Sequence, residues 1–290
     1  MQTHRPLLLM ATSSVCFAFM AFSAKLASAR LSGSEIGFLR FAFMLLPLVV
    51  VPGLARKAVE FQRLDLLLYR GIFGGTAVLL YFLALAHIPV GLATLLNYSA
   101  PVFSVPFAAI FLGERADRRL LLPLVSALVG MTLAAGGGGG GAGALLHFGP
   151  WELAGMGSAV LSGAAVTAIR AARRTEGSWA IYGSFSLFGL IATAPFAVPG
   201  FQAPTEREWV FLSLVGGLSI VAQLLMTWAY RWVTNLQAGI LSQLTVVLTL
   251  ALGVIFLGDR LTPVQILGSL LTLAGVAGVV KVQATPRAVE

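Results

Sequence analysis

Charged side chains inside long apolar segments are the residues of this sequence best suited to chemistry. Lys25 and Arg40 are the two cations that lie deepest in such segments. Arginine can grip a carboxylate through two parallel hydrogen bonds, so Arg40 is the better candidate ligand for a carboxylate. Lys25 is a candidate for an electrostatic or gating role. The alternative is that both side chains snorkel to lipid headgroups.

Polar residues also occur near the middle of two apolar segments. Asn97 and Tyr98 lie in one of them, and Ser242 and Gln243 lie at the matching positions of the other. Polar groups at equal depth in two related segments are typical of a substrate site at the membrane midplane. The alternative is hydrogen bonding that only holds helices together. Weaker candidates for the same cavity are Tyr81, Ser162 and Gln223.

The sequence offers no set of side chains for catalysis or metal binding. The histidines His4, His87 and His147 are far apart, and Cys16 is the one cysteine. All 11 acidic residues lie at or near predicted loops. We therefore predict no enzyme activity, no metal and no cofactor. Proton pumps and antiporters commonly carry a carboxylate within the membrane, so proton coupling is the less favoured alternative.

The elements that must position the polar side chains are membrane helices. The chain is 58% hydrophobic and only 10% charged, whereas a soluble domain has roughly 25% charged residues. Apolar stretches long enough to cross a bilayer are predicted near residues 7–27, 35–54, 65–86, 90–112, 119–136, 150–171, 178–198, 208–230, 235–256 and 263–281. The sequence predicts an all-α bundle of ten transmembrane helices.

The distribution of cations predicts the orientation. With the N-terminus inside, most of the 19 Lys and Arg residues fall at inner helix ends, Arg70 and Arg173 among them. This is the positive-inside bias, and it predicts that both termini are cytoplasmic. The net charge of +8 then needs no nucleic-acid partner. The cations at outer ends are Lys25, Arg30, Arg40, Arg207 and Arg260.

A repeated peptide divides the chain into two halves. Phe111–Arg115 (Phe-Leu-Gly-Glu-Arg) returns as Phe256–Arg260 (Phe-Leu-Gly-Asp-Arg), shifted by half of the 290 residues. Five helices are an odd number, so the second copy must enter the membrane from the opposite side. Inverted repeats of this kind are common in secondary transporters. We predict a first repeat over 1–136, a glycine-rich linker over 137–149 and a second repeat over 150–290.

Two segments carry a family resemblance. Residues 80–103 (LYFLALAHIPVGLATLLNYSAPVF) and 110–115 (IFLGER), with the Arg40-Phe41 pair, resemble the EamA domain of the drug/metabolite transporter superfamily. The resemblance implies two EamA domains, a central substrate cavity and a location in the bacterial inner membrane. It extends to exporters of the YddG type, which export aromatic amino acids. In the second half, Val246 replaces Pro101 and the motif is degraded.

Together these features predict a monomeric secondary transporter embedded in the lipid bilayer. Its expected substrates are amino acids or related metabolites, including apolar and aromatic ones. Export by alternating access and uniport is the favoured mechanism. The alternative is a proton-coupled exporter of drugs or other small metabolites.

Overall fold

The computed structural model describes residues 4–113, 118–136, 148–173, 175–229, 232 and 235–284. The described residues are helical with no β-strand, and ten helices are long and apolar enough to cross a membrane. This confirms the predicted fold class. The helices are α1 (His4–Ala27), α2 (Gly33–Val50), α3 (Leu54–Val59), α4 (Leu64–His87), α5 (Val90–Tyr98), α6 (Ala100–Leu112), α7 (Leu121–Gly136), α8 (Pro150–Ala172), α9 (Ser178–Ala197), α10 (Glu206–Ala229), α11 (Asn235–Leu252) and α12 (Pro263–Ala284).

Three of the twelve helices do not cross on their own. The short helix α3 lies in the link between the second and third crossings, and α5 and α6 together form the fourth crossing. A five-residue π-helical turn, Gly253–Leu257, extends α11 to complete the ninth. The crossings begin and end within a few residues of the predicted segments.

A capping box starts α2 and accounts for a buried acid. The Ser32 hydroxyl accepts the Glu35 backbone N–H at 3.2 Å, and Glu35 Oε2 accepts the Ser32 N–H at 2.7 Å. The other carboxylate oxygen accepts the Gln202 N–H at 2.6 Å. Glu35 is therefore satisfied by helix capping and by the loop before α10.

The main helix pairs between the two halves recur when the halves are exchanged. Helix α4 of the first half packs on α8 of the second, and the equivalent pair, α10 of the second half and α1 of the first, is also packed. The broken crossing α5–α6 packs on α8, just as α11 packs on α1. Each half is thus built largely around helices of the other half.

Loops of the two halves meet at both ends of the bundle. At one end Arg30, after the first crossing, donates to Gln202 at 2.9 Å, in the loop after the seventh. At the other end Glu176, after the sixth crossing, accepts N–H groups of Gln62 and Arg63, after the second. The loop after one helix of a repeat meets the loop after the next helix of the other repeat, as inversion requires. We call these ends the Arg30 face and the Glu176 face.

Three contacts locate the pseudo-twofold axis. Ser126 donates to the Leu271 carbonyl and Gln243 to the Tyr98 carbonyl, and each pair is 145 positions apart. Arg40 and Phe185 have the same separation, and the Arg40 guanidinium carbon lies 5.8 Å from the Phe185 ring centroid. A residue can touch its own counterpart only near the axis that relates the halves. Arg40, Phe185, Tyr98 and Gln243 therefore lie at the centre of the molecule.

Glycines bring α7 and α12 into backbone contact. A Cβ at Gly130 would lie 2.4 Å from the Thr272 nitrogen, and one at Gly268 would lie 2.4 Å from the Ala134 nitrogen. Small residues permit this approach between membrane helices. The pair joins the ends of the two repeats on one side of the bundle.

Two predicted features fall outside the described residues. Glu114 and Arg115 of the first repeated peptide are among them, and so are residues 137–147 of the predicted linker. The partition at 137–149 remains a prediction.

Candidate functional site

A cavity of about 320 Å³ lies between the two halves. The first half contributes α4 and α6, and the second half contributes α8 to α12. Arg173, one of its lining residues, is exposed at the Glu176 face. Towards the Arg30 face the bundle is filled instead by a buried apolar cluster that includes Phe82, Leu85 and Leu96. The cavity thus occupies the Glu176 side of the molecule.

Arg70 is the charged residue at the buried side of the cavity. It lies on α4, is 6% exposed, and has its guanidinium carbon 3.9 Å from the Phe185 ring centroid. Gly74, one turn later, makes room for it, because a Cβ there would lie 1.9 Å from Arg70 Nη1. The sequence prediction counted Arg70 among the inner interfacial cations. The structure instead turns it into the protein.

Arg40 lies near the same aromatic ring, with its guanidinium carbon 5.8 Å from the Phe185 ring centroid. It is 4% exposed, and its Nε donates to the Ser219 hydroxyl at 2.8 Å. The rings of Phe41 and Phe82 flank it at 5.2 and 5.8 Å. Nη1 is buried and has no hydrogen-bond partner within the described part of the chain. Arg40 does not snorkel, because its guanidinium packs against helices of both halves.

The fourth crossing is broken beside the cavity. Helix α5 ends at Tyr98 and α6 begins at Ala100, with Pro101 in its first turn. Proline lacks an N–H and is favoured at a helix start, so the break follows from the sequence. Pro101 and Ser104 of α6 line the cavity. The positive end of the α6 dipole is therefore near the cavity wall.

Asn97 joins this break to the second half. Its side-chain amide donates to the hydroxyls of Ser158 and of Ser162, the latter at 3.2 Å. Ser162 lines the cavity, and the Asn97 side chain is hydrogen-bonded to its hydroxyl. These two predicted residues are brought together at the site.

The other predicted polar residues are spread along the centre of the bundle. Gln243 donates to the Tyr98 carbonyl at 3.5 Å, at the limit of a hydrogen bond. Ser242 donates to the Gly239 carbonyl of its own helix at 2.7 Å. The Tyr81 hydroxyl pairs with Thr94 at 3.0 Å. Gln223 is buried on α10.

Lys25 lies apart from the cavity, near the Arg30 face. Its Nζ donates to the carbonyls of Leu85 and Ile88 at 2.9 and 2.8 Å, and to that of Ala86 at 3.3 Å. These are the last carbonyls of α4 and the residue after it. Lys25 therefore caps the C-terminus of α4 and ties α1 to it.

The charge around the cavity is positive. Two arginines, Arg70 and Arg173, line it, and no carboxylate does so within the described residues. The described ion pairs lie in loops and at helix ends: Arg30 with Glu208, Arg56 with Glu60, and Arg63 with Asp65. Such a cavity attracts an anion and repels a cation.

Sequence reasoning missed Arg70 and Phe185. Hydropathy gives the depth of a residue in a helix but not the direction of its side chain, so Arg70 could pass for an interfacial charge. Phe185 had an available signal, since it is the second-half equivalent of Arg40. If Arg40 lies near the axis that relates the halves, its counterpart Phe185 must lie close to it.

The sequence profile of a known family matches this duplicated architecture. The profile of the EamA-like transporter family matches residues 4–136 and again residues 149–281. The chain belongs to the EamA-like transporter family. This agrees with the resemblance to EamA domains and with the drug/metabolite transporter superfamily.

Individual relatives agree with the family. The pseudopaline exporter CntI of Pseudomonas aeruginosa is 30% identical over 224 residues, which are 77% of each chain. An uncharacterized transporter of Helicobacter pylori is 25% identical over 241 residues, 79% of this chain and 78% of that one. A solved crystal structure of another protein matches with a TM-score of 0.62 at 21% identity. It covers 96% of this chain and 97% of its own, and it bears on the fold alone.

These relatives make the protein a membrane transporter. They include an exporter of pseudopaline, so they do not single out the YddG type. Amino-acid export remains a prediction.

Proposed function

We propose that this transporter exports amino acids or related metabolites that carry a carboxylate. The observation that carries the proposal is the cavity between the halves, which is lined by Arg70 and Arg173 and, within the described residues, by no acid. The rest of the lining is largely apolar and includes Val78, Ile169 and Phe185. A cationic wall suits the carboxylate, and an apolar, aromatic wall suits an apolar or aromatic side chain.

The predicted polar residues would complete this site. Arg40 supplies a second buried cation, and Asn97 with Ser162 supplies amide and hydroxyl groups at the cavity wall. We assign weaker supporting roles, in orienting substrate or in holding the helices that contact it, to Tyr81, Tyr98, Gln223, Ser242 and Gln243.

Transport would proceed by alternating access about the pseudo-twofold axis. The cavity lies on the Glu176 side and the Arg30 side is packed, so the described conformation would be open to the face that receives substrate. Cations on the Glu176 face, including Arg56, Lys57 and Arg63, favour a cytoplasmic assignment for it. This assignment puts both termini in the cytoplasm of a bacterium, with the protein in the inner membrane.

Lys25 would hold the Arg30 side closed through its bonds to the end of α4. In a Cys16→Ser background, Thr94→Cys introduces a buried thiol on this side. Adding Lys25→Met should speed labelling of that thiol by a membrane-impermeant reagent. Equal labelling with and without Lys25 would remove the gating role.

Uniport is the coupling mode that the site favours. No carboxylate among the described residues lines the cavity, and a proton relay would need such a group. One ten-helix chain surrounds the cavity, which favours a functional monomer.

The relative in Pseudomonas aeruginosa favours a second candidate substrate. It is named as a pseudopaline exporter, and this chain could accept the same molecule in place of free amino acids. The alternative of cationic drugs fits poorly with two arginines in the cavity.

Counterflow in proteoliposomes distinguishes these functions. Protein would be reconstituted with a panel of labelled amino acids, pseudopaline and a cationic drug. We expect saturable counterflow of amino acids that does not change with an imposed pH gradient. Saturable flux of pseudopaline alone would favour the second candidate. Drug flux driven by a proton gradient would contradict the proposal.

A further inference from the structure

Two buried guanidinium groups share one aromatic ring at the centre of the molecule. The guanidinium carbons of Arg70 and Arg40 lie 3.9 and 5.8 Å from the Phe185 ring centroid. They are therefore no more than about 10 Å apart. Both residues are more than nine-tenths buried. Two cations held this close in the interior are costly unless an anion compensates them.

Among the residues that the structure describes, none supplies that anion to Arg40. No carboxylate of the described chain forms an ion pair with Arg40, whose described hydrogen bond goes to the neutral Ser219 hydroxyl. Its Nη1 is buried and has no hydrogen-bond partner in the part of the chain that the structure describes. The three aromatic rings around it lower the cost of burial through cation–π attraction but do not neutralise the charge. Arg40 thus keeps a donor for a ligand.

The two arginines differ in access. Arg70 and Phe185 line the cavity, whereas Arg40 is not among the described lining residues. The Phe185 ring packs against the Arg70 guanidinium and lies near that of Arg40, so it borders both groups. A T-shaped contact with Phe41, at 5.2 Å between centroids, holds the ring in this position.

We propose that Arg70 and Arg40 form a paired anion site about Phe185, and that the exported molecule carries two carboxylates. One carboxylate binds Arg70 from the open cavity. The other reaches Arg40 when the Phe185 ring moves aside. The short separation of the cations selects a small dicarboxylic amino acid or a conjugate of similar span. This inference rests on the proposed export of carboxylate-bearing metabolites and names the substrate class of that site.

Glutamate and glutamine provide the test, because they differ in one carboxylate and are otherwise of the same shape. We would measure KM for both in proteoliposome counterflow. Loss of one charge-assisted hydrogen bond corresponds to about tenfold or more in affinity. We therefore expect the KM for glutamate to be at least about tenfold below that for glutamine.

Variants then assign the effect to the pair. Arg70→Gln and Arg40→Gln should each bring the KM ratio of the two substrates close to one, and Arg70→Lys should restore part of the preference. Arg56→Gln is the matched control, since it removes an exposed charge from the Glu176 face outside the cavity. It should leave the ratio as in the wild type. Size-exclusion profiles of each variant in detergent report on folding.

The outcomes separate this inference from the proposed function. Saturable amino-acid flux with equal KM for glutamate and glutamine would overturn the paired site and leave export of carboxylate-bearing metabolites in place. A preference that Arg70→Gln and Arg56→Gln reduce equally would also overturn it. No saturable flux of any amino acid in folded protein would overturn the proposed function itself.

Discussion

The two halves of this transporter share their main helix contacts and differ in where they carry buried charge. Arg40 on α2 has Phe185 on α9 as its counterpart, and Arg70 on α4 has Val215 on α10. All four are buried. The main helix pairs between the halves recur when the halves are exchanged, so the first half places cations at positions where the second half places apolar side chains.

This difference separates two roles in the proposed mechanism. The repeat supplies the paired halves that alternating access would need, and substitutions within it give the cavity its charge. Alternating access needs two halves that can exchange conformations, which depends on the backbone and on small residues at helix contacts. Selectivity needs an uneven distribution of charge, which duplication alone cannot create. Gly74 and its counterpart Ser219 illustrate both, since one gives Arg70 room and the other binds Arg40.

Removing the central cation should have the largest effect. Arg40→Met keeps an unbranched apolar side chain and deletes the positive charge, which the counterpart residue Phe185 does not carry. We expect kcat/KM for amino-acid counterflow to fall by about 10- to 100-fold, because a charged hydrogen bond is worth ~1.5–3 kcal/mol. Phe185→Leu is the control that keeps both cations, and it should cost less. Equal losses in the two variants would mean that packing at the axis, rather than charge, is what matters.

Closing the space beside Arg70 should have the next largest effect. A Cβ in Gly74→Ala would lie 1.9 Å from Arg70 Nη1 and must displace the guanidinium. We expect KM to rise about tenfold while thermal stability holds or improves, since alanine is the better helix former by ~1 kcal/mol. Gly217→Ala meets nothing within 4 Å and should leave KM unchanged. An unchanged KM in Gly74→Ala would show that the position of Arg70 does not matter.

The smallest effect on transport is expected from a polar residue of the broken fourth crossing, compared with one of the ninth crossing. Asn97→Ala deletes bonds to Ser158 and Ser162 in the other half, whereas Ser242→Ala deletes a bond within its own helix. Neutral hydrogen bonds contribute ~0.5–1.5 kcal/mol, so flux should fall about two- to tenfold for Asn97→Ala only. A larger loss with Ser242→Ala would reverse the assignment of the two crossings.

The sequence predicted those features of the fold that depend only on which residue type stands at each position along the chain. Hydropathy located ten crossings, because lipid demands long apolar helices. The repeat of Phe111–Arg115 at Phe256–Arg260 located the halves, and Pro101 marked the start of α6. Each of these depends on position along the chain alone.

What the sequence did not predict depends on rotation about a helix axis. Arg70 lies early in α4, where a charge can face headgroups or the interior at the same depth. Gly74, one turn later on α4, leaves room for its side chain. Phe185 on α9 then packs against its guanidinium, and only tertiary packing brings that ring beside it. For Arg40, too, the sequence left open whether the side chain faces headgroups or the interior. Its position beside its counterpart Phe185 shows that it faces the interior.

The central claim is that the buried cations beside Phe185 select a carboxylate. Its most direct test is inhibition of amino-acid counterflow by phenylalanine and by phenylalaninamide, which has the same ring and amine but no carboxylate. The account predicts that phenylalanine inhibits at a concentration at least about tenfold lower than the amide, as loss of a charge-assisted hydrogen bond implies. Equal or stronger inhibition by the cationic amide would contradict it.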